Sequence, residues 1–236
     1  QLMEVIVEEK VPIVFTAAGN PKLWTAFLKS HGCTVVHVVS SVKFALKAQE
    51  SGVDAIVAEG FEAGGHNGRE ETTTLTLIPL VKKAINIPLI AAGGIGSGAA
   101  MLAVMALGAE GVQVGSRFVA THEASSHPHF KQAVIKAQQG DTELTLKEVT
   151  PVRLLKNPFY QKIKALYQEG ASPEQLQEAL GRGRAKKGMF EGDLVEGELE
   201  IGQVAAQIES ILPAAAVVKE FVETYHLTLA TLSKIN

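Results

Sequence analysis

Residues 86–118 read NIPLIAAGGIGSGAAMLAVMALGAEGVQVGSRF, and this stretch decides the fold. Residues 87–92 form a short apolar run, long enough for a buried parallel strand and too short for a helix. The run ends in Gly93-Gly94, followed by a loop with Gly96 and Gly98. Residues 99–107 are small or straight-chain and favour a helix, which Gly108 stops. Residues 111–114 are a second buried strand, and it too ends on a small-residue turn, Gly115-Ser116. Two consecutive strands therefore lead into loops with little or no side chain in the way.

Such loops suit an anion. Glycine lets the main chain approach a ligand closely and take positive φ. A helix start offers free N–H groups and the positive end of the helix dipole. In (β/α)₈ barrels the loops after the last two strands commonly build a phosphate site. The plainer alternative is that Gly93, Gly94 and Gly115 only make tight connections between strand and helix; two adjacent glycine turns favour phosphate.

Outward from this stretch the pattern repeats. Residues 11–17 are a β-rich apolar run ending at Gly19-Asn20-Pro21, and Pro21 suits the first turn of a helix over 22–31. A strand is expected over 34–40 and a helix over 42–51, with Phe44, Ala45 and Ala48 at helical spacing and Gly52 as its cap. Residues 53–58 are the third strand, followed by a loop over 61–73 and a helix over 74–85. Five strands alternating with helices mean a parallel sheet with right-handed crossovers. Spacing alone fits a barrel or a doubly wound sheet. From Thr121 strand patterns fade. Helices are expected over 126–139, 158–168 and 173–180, with a short β-like piece around 143–153. A glycine- and charge-rich run over 181–202 follows, then a helical stretch over 204–229 broken near Pro213.

The composition of the 236 residues, 46% hydrophobic and 20% charged, suits an ordinary soluble domain with an inserted subdomain. A net charge of −3 argues against nucleic acid or another polyanion as partner. The single cysteine, Cys33, excludes an internal disulfide, and no CxxC or HExxH pattern points to a metal. No apolar run has the length of a membrane span and no secretory signal is visible, so a cytoplasmic protein is expected. Leu2, Val5 and Ile6 fall on one helical face, so the chain opens inside a helix and further sequence is expected upstream of Gln1.

Chemistry is expected in the loop EGFEAGGHNG, Glu59 to Gly68, at the C-terminal end of the third strand. Its four glycines imply tight turns or close approach to a ligand. His66 stands between glycines without apolar neighbours to bury it, and histidine is the side chain suited to proton transfer near neutral pH. Elsewhere, Arg182, Arg184, Lys186 and Lys187 read as a solvated basic turn, and His127-Pro128-His129 reads as a helix start rather than a metal pair. Arg117 reads as a salt-bridged wall residue, and Trp24 and Phe27 as helix packing residues.

EGFEAGGHNG, IPLIAAGGI, LGAEGVQVGSRF and HPHFK, in this order, resemble the FMN-dependent nitronate monooxygenases, formerly called 2-nitropropane dioxygenases. The flavin-dependent enoyl-acyl-carrier-protein reductases belong to the same superfamily, and the likeness extends through EGDLVEGELEIGQ. It implies an α/β (β/α)₈ TIM barrel, of which this chain holds the last five βα units, with a small, mostly helical insertion. Residues 1–120 would be the C-terminal part of the FMN-binding barrel, 121–202 the insertion on the substrate side, and 203–236 a closing helix returning to the barrel. Five strands cannot close an eight-stranded barrel, so the natural protein is expected to be longer.

The resemblance also implies the site. Gly93, Gly94 and the Gln113-Val114-Gly115-Ser116 turn would hold the FMN phosphate and ribityl chain. Glu59, Gly64 and Gly65 would lie along the flavin, and His66 matches the family's active-site histidine. No metal is implied. The implied reaction is oxidation of alkyl nitronates or nitroalkanes with O₂. The alternatives are reduction of enoyl chains with NAD(P)H, and a truncated fragment that binds flavin or phosphate without turnover. A homodimer and a small-molecule substrate are the expected partners. Glu59 stands where the monooxygenases usually carry Gln and looks more like the enoyl reductases; Asn67 stands where many monooxygenases carry Arg or Thr.

Overall fold

The computed structural model describes residues 2–234; Gln1 lies outside the described residues. The fold is α/β, as expected, built from βα units of a (β/α)₈ barrel. The chain divides into two compact units. The first holds residues up to 61 with 70–92 and 103–113; the second holds 62–69, 93–102 and 114 onward.

In chain order the first unit begins with helix α1 (Leu2–Glu8), strand β1 (Ile13–Ala17), a single 3₁₀ turn (Pro21–Leu23) and α2 (Thr25–Ser30). Then come β2 (Thr34–Val39), α3 (Val42–Glu50) and β3 (Ala55–Glu59). After the excursion of 62–69, which carries the two-residue strand β4 (Gly65–His66), it resumes with α4 (Thr74–Ala84) and β5 (Leu89–Ala92). Helix α5 (Gly98–Ala106), whose first turns belong to the second unit, leads into β6 (Gly111–Gln113). The strands β1, β2, β3, β5 and β6 lie side by side in that order, every pair parallel. Val36, Ala55, Val57 and Ala92 form one core patch of this sheet. On the edge strand β1, Val14 is buried while Ile13 and Phe15 are about half exposed, at 53% and 50%.

Local chemistry sets the boundaries. The Ser41 hydroxyl accepts from the Phe44 N–H and caps α3. Gly52 follows at φ +82°, the left-handed conformation that ends a helix. The helix expected over 22–31 is instead a 3₁₀ turn and a short α-helix, because Asn20 and Pro21 start a tight turn that breaks at Trp24. Trp24 meets Phe27 edge-on at 6.1 Å but stays 46% exposed. In α3, Ala45 and Ala48 are buried, whereas Phe44 is exposed.

The second unit continues with α6 (Ser116–Val119), α7 (Pro128–Ile135), β7 (Thr142–Thr145), β8 (Val152–Leu155), α8 (Pro158–Gln168), α9 (Pro173–Leu180), α10 (Arg184–Met189) and α11 (Ala214–Leu232). Proline at the first position marks the starts of α7, α8 and α9. Ser172 and Gln175 form a reciprocal capping box on α9. The β-like piece around 143–153 is an antiparallel hairpin, and it pairs with β4 into a three-stranded sheet of order β4-β8-β7. The expected loop over 61–73 therefore contains a strand, too short for any periodicity to reveal. The charged run 181–202 holds a helix, α10, hidden by Gly183 and Gly188 and tied down where the Glu198 N–H donates to the Arg184 carbonyl.

Two apolar clusters hold this unit. Leu146, Val152, Leu154, Phe159, Ile163 and Leu176 pack beneath the hairpin. Phe130, Val134, Leu155, Leu199 and Ile201 form the other, with small residues between them. Phe159 is 1% exposed, and the Arg184 guanidinium lies 4.5 Å from its ring centre. Phe159→Ala should cost ~3–5 kcal/mol of stability in urea unfolding, against under ~1 kcal/mol for Phe190→Ala. Phe190 is half exposed.

Candidate functional site

In the first unit, parallel register sets three neighbouring strand ends level. Glu59 pairs with Ala92, and Ala92 with Gln113. The Gly60 N–H donates to the Ala92 carbonyl at 2.9 Å. Burial at the end of β3 pushes the Glu59 carboxyl up to about 7. The chain leaves each of these ends into the second unit, at residues 62, 93 and 114.

In the second unit the three departing loops meet. Gly93 and Gly94 take φ +88° and +70°, which only glycine adopts without strain. The Glu62 side chain packs on Gly94, 3.3 Å from where a methyl group there would sit. The Glu62 carbonyl accepts from the Gln203 N–H at 2.9 Å, and the Ser116 hydroxyl accepts from the Gly202 N–H at 2.9 Å. Gly64 lies so close to Ile201 and Gly202 that a methyl group on it would fall on their backbone, 2.6 Å from the Ile201 Cα. At Gly115 the same test meets open space.

His66 is fixed by strand pairing. In β4, Gly65 and His66 face Arg153 and Val152 of β8. The Asn67 N–H donates to the Pro151 carbonyl, and its side-chain amide donates back to the Ala63 and Gly65 carbonyls at 2.9 and 3.2 Å. The Arg69 guanidinium holds the Lys147 carbonyl at 3.0 Å. The backbone of the loop is thus clamped while the imidazole itself is exposed.

Of the residues singled out by sequence, Gly64, Gly94 and Ser116 meet through these contacts and their shared partners, and Gly65 adjoins Gly64. His66 follows Gly65 in the chain, and Gly93, Val114 and Gly115 adjoin the same turns. Glu59 and Gln113 belong to the first unit, at the strand ends described. Sequence reading missed Glu62, Glu198, Glu200 and Gly202. The alternation Glu198-Leu199-Glu200-Ile201 carried a strand-like signal, but Leu199, Ile201 and Glu198 are all buried, so it did not divide an inner face from an outer one. Asn157 shapes this segment: its side chain caps α8 at Tyr160 and donates to the Leu194 and Gly197 carbonyls at 2.9 and 2.8 Å.

The acids of the segment are strongly desolvated. Burial, with a smaller push from Glu200 and an opposing pull from Arg184, takes Glu198 up to about 7. Burial also raises Glu200, against the pull of the His66 imidazole. Other sequence candidates resolve into packing. The Arg117 guanidinium is buried and donates to the Ala120 and Ser210 carbonyls rather than to the expected carboxylate. The His127 ring accepts from the His129 N–H and caps α7. The basic turn is neutralised locally, Arg184 by Glu196, Lys186 by Glu191 and Lys187 by Asp193.

A sequence model described as nitronate monooxygenase matches residues 1–224. The chain belongs to the nitronate monooxygenase family. A probable nitronate monooxygenase of Bacillus subtilis is 37% identical over 153 residues, covering 61% of this chain and 44% of that protein. One from Staphylococcus saprophyticus is 33% identical over 201 residues, covering 79% of this chain and 56% of the relative. The chain thus spans about half the length of these two relatives. FabK from Thermotoga maritima superimposes with a TM-score of 0.92 at 41% identity, over 100% of this chain and 74% of that one. Nitroalkane oxidase from Streptomyces ansochromogenes does so with 0.78 at 27%, over 98% and 68%. Among the described residues of this nitronate monooxygenase family member, no helix is long and apolar enough to cross a membrane.

The raised carboxyls fix the sign of a pH effect. A carboxyl that binds its proton more tightly folded than unfolded favours the fold at low pH, and that advantage is lost as pH rises through the folded-state value. Stability of the flavin-free protein should therefore fall as pH climbs from the ordinary carboxylate range through about 7. Glu59→Gln and Glu198→Gln should each flatten the decline, by on the order of 1–2 kcal/mol. Urea unfolding midpoints across this range read the effect.

Proposed function

We propose that the protein is an FMN-dependent oxidoreductase that oxidises alkyl nitronates or nitroalkanes with O₂, with His66 as its proton-handling residue. The observation that carries this reading is the junction of Gly94, Glu62, Ser116 and Gly202, which gathers two glycine turns beside the strand bearing His66. The residues present fit the flavin's phosphate tail. Positive-φ glycines let the main chain turn close to a ligand, and main-chain amides can cradle phosphate without a charged side chain. Gly115 leaves room where a Cβ would otherwise stand. Gly93, Gly94, Val114, Gly115 and Ser116 would hold that tail, with Gly64 and Gly65 next to it. When bound, FMN supplies the electron chemistry, and the protein supplies orientation and charge.

His66 stands on a clamped backbone with its imidazole exposed, so it can meet a substrate without moving the chain. There it would take the proton from the carbon beside a nitro group, or hold the oxygens of a nitronate. Asn67 braces the turn on the far side and keeps the imidazole's approach fixed.

A second reading, reduction of an enoyl thioester by a reduced nicotinamide, is favoured by Glu59, which resembles the residue of the enoyl reductases at that position. Oxygen uptake with an alkyl nitronate, without nicotinamide, supports the first reading. Enoyl-dependent oxidation of NADH or NADPH supports the second.

In either case His66→Ala should lower kcat by about 10²–10⁴-fold while FMN stays bound; full activity in that variant excludes His66 from the chemistry. Gly115→Ala should leave the unfolding midpoint unchanged, since nothing within 4 Å meets its methyl group. It should nevertheless weaken FMN by about tenfold or more in a fluorescence titration, because the methyl group enters the space assigned to the ligand.

A further inference from the structure

The strand that carries His66 is only two residues long, and it is held differently on its two sides. Before His66, the Glu62 carbonyl accepts from the Gln203 N–H, and Gly64 lies against Ile201 and Gly202. After His66, the antiparallel ladder with β8 reaches Pro151 and loses a bond. The Asn67 N–H donates to the Pro151 carbonyl, but a proline has no N–H to return. Arg69 takes over where the ladder stops. One guanidinium nitrogen donates to the Lys147 carbonyl at 3.0 Å and the other to the Val149 carbonyl at 3.4 Å. Both carbonyls belong to the turn between β7 and β8. That turn is itself fixed: Leu146 takes φ +55°, is buried, and its carbonyl accepts from the Val149 N–H at 3.0 Å. Leucine is strained in this conformation, so its buried side chain and the hydrogen bond hold it there.

We propose that Arg69 is a positioning residue for His66, its guanidinium bridging two carbonyls of the β7–β8 turn in place of the missing ladder bond. The proposal rests on the reading of His66 as the proton-handling residue. So short a strand leaves the aim of the imidazole to whatever fixes the backbone on either side. The Asn67 side chain folds back on the Ala63 and Gly65 carbonyls and stiffens the loop from within. Arg69 instead ties the end of the loop to the hairpin. Arginine suits this place because its planar fork of donors reaches two carbonyls at once, and its charge strengthens each bond. A lysine keeps the charge but offers a point donor on a flexible stem. The Arg69 side chain stands at the exposed surface, so its removal should spare the fold and let the end of the loop drift. A misplacement of about 1 Å can cost ~100-fold in rate. With Gly65 and His66 still paired to β8, a smaller loss is expected.

The test compares Arg69→Ala and Arg69→Lys with the wild type as FMN-loaded full-length protein, using an alkyl nitronate and a nitroalkane as substrates. Arg69→Ala should lower kcat about tenfold, with KM and FMN affinity within about twofold of wild type and the unfolding midpoint unchanged. Arg69→Lys should recover part of the loss. Millimolar guanidinium ion, which fits the vacated place, should raise kcat of the alanine variant and leave the wild type unaffected. Without substrate, the NMR signal of the His66 ring should broaden in Arg69→Ala and sharpen again with guanidinium. A kcat for Arg69→Ala within about twofold of wild type overturns the proposal. So does a loss that neither lysine nor guanidinium reduces, or one that accompanies lost FMN or a lowered midpoint, because a merely structural defect gives the same result. If the wild type oxidises neither substrate, the functional reading fails and the ring signal decides. Broadening that guanidinium reverses then supports the role of Arg69, and an unchanged signal overturns it. If the wild type oxidises them and Arg69→Ala does so equally well, the functional reading stands and this inference fails.

Discussion

The candidate site depends on one close approach of backbone to backbone. Gly64 lies directly on Ile201 and Gly202, with no room for a single carbon atom between them. That contact sets two hydrogen bonds, from the Gln203 N–H to the Glu62 carbonyl and from the Gly202 N–H to the Ser116 hydroxyl. Segments distant in sequence, around residues 62, 116 and 202, are thereby fixed to each other, two of them through main-chain atoms and the third through the Ser116 hydroxyl. Main-chain contacts tolerate little displacement, so this packing adds to the strand pairing with β8 that fixes His66.

The same closeness explains the electrostatics of the second unit. Packing Leu199 and Ile201 into the apolar cluster draws Glu198 and Glu200 out of water along with them. Desolvation is the leading cause of the upward displacement of both carboxyls, with charge partners secondary. Glu59, at the end of a strand in the first unit, is displaced for the same reason. Acids displaced toward neutrality are expected where chemistry is done, and here they accompany a histidine and a set of glycine turns.

Much of this was legible in the sequence because it is written in local patterns. Apolar runs of strand length, separated by helices, specify the parallel pairing of β1, β2, β3, β5 and β6. Pro158 and Pro173 mark the starts of α8 and α9 at the residues expected. Gly93-Gly94 and Gly115-Ser116 stand at strand ends because the periodicity places them there. What could not be read depends on pairing over long sequence distance. The strand β4 is two residues long and exists only because β8, some ninety residues later, offers it an edge. Glu200 shares that edge, and nothing near it in the sequence says so. The helix α10 is short, flanked by glycines and rich in charge, so its stability lies in the Arg184 contacts rather than in propensity. Arg117 was expected to meet a carboxylate, but the carbonyls of Ala120 and Ser210 are what surround it.

Family membership rests on residues 1–224, whereas the reading of the chemistry rests on the junction. A crystal structure of the full-length protein with FMN bound probes that junction most directly. The account predicts phosphate oxygens within hydrogen-bond distance of backbone amides in both the Gly93-Gly94 and Val114-Gly115-Ser116 turns, with the His66 imidazole facing the flavin ring. A phosphate seated elsewhere, with both turns free of ligand, would contradict it.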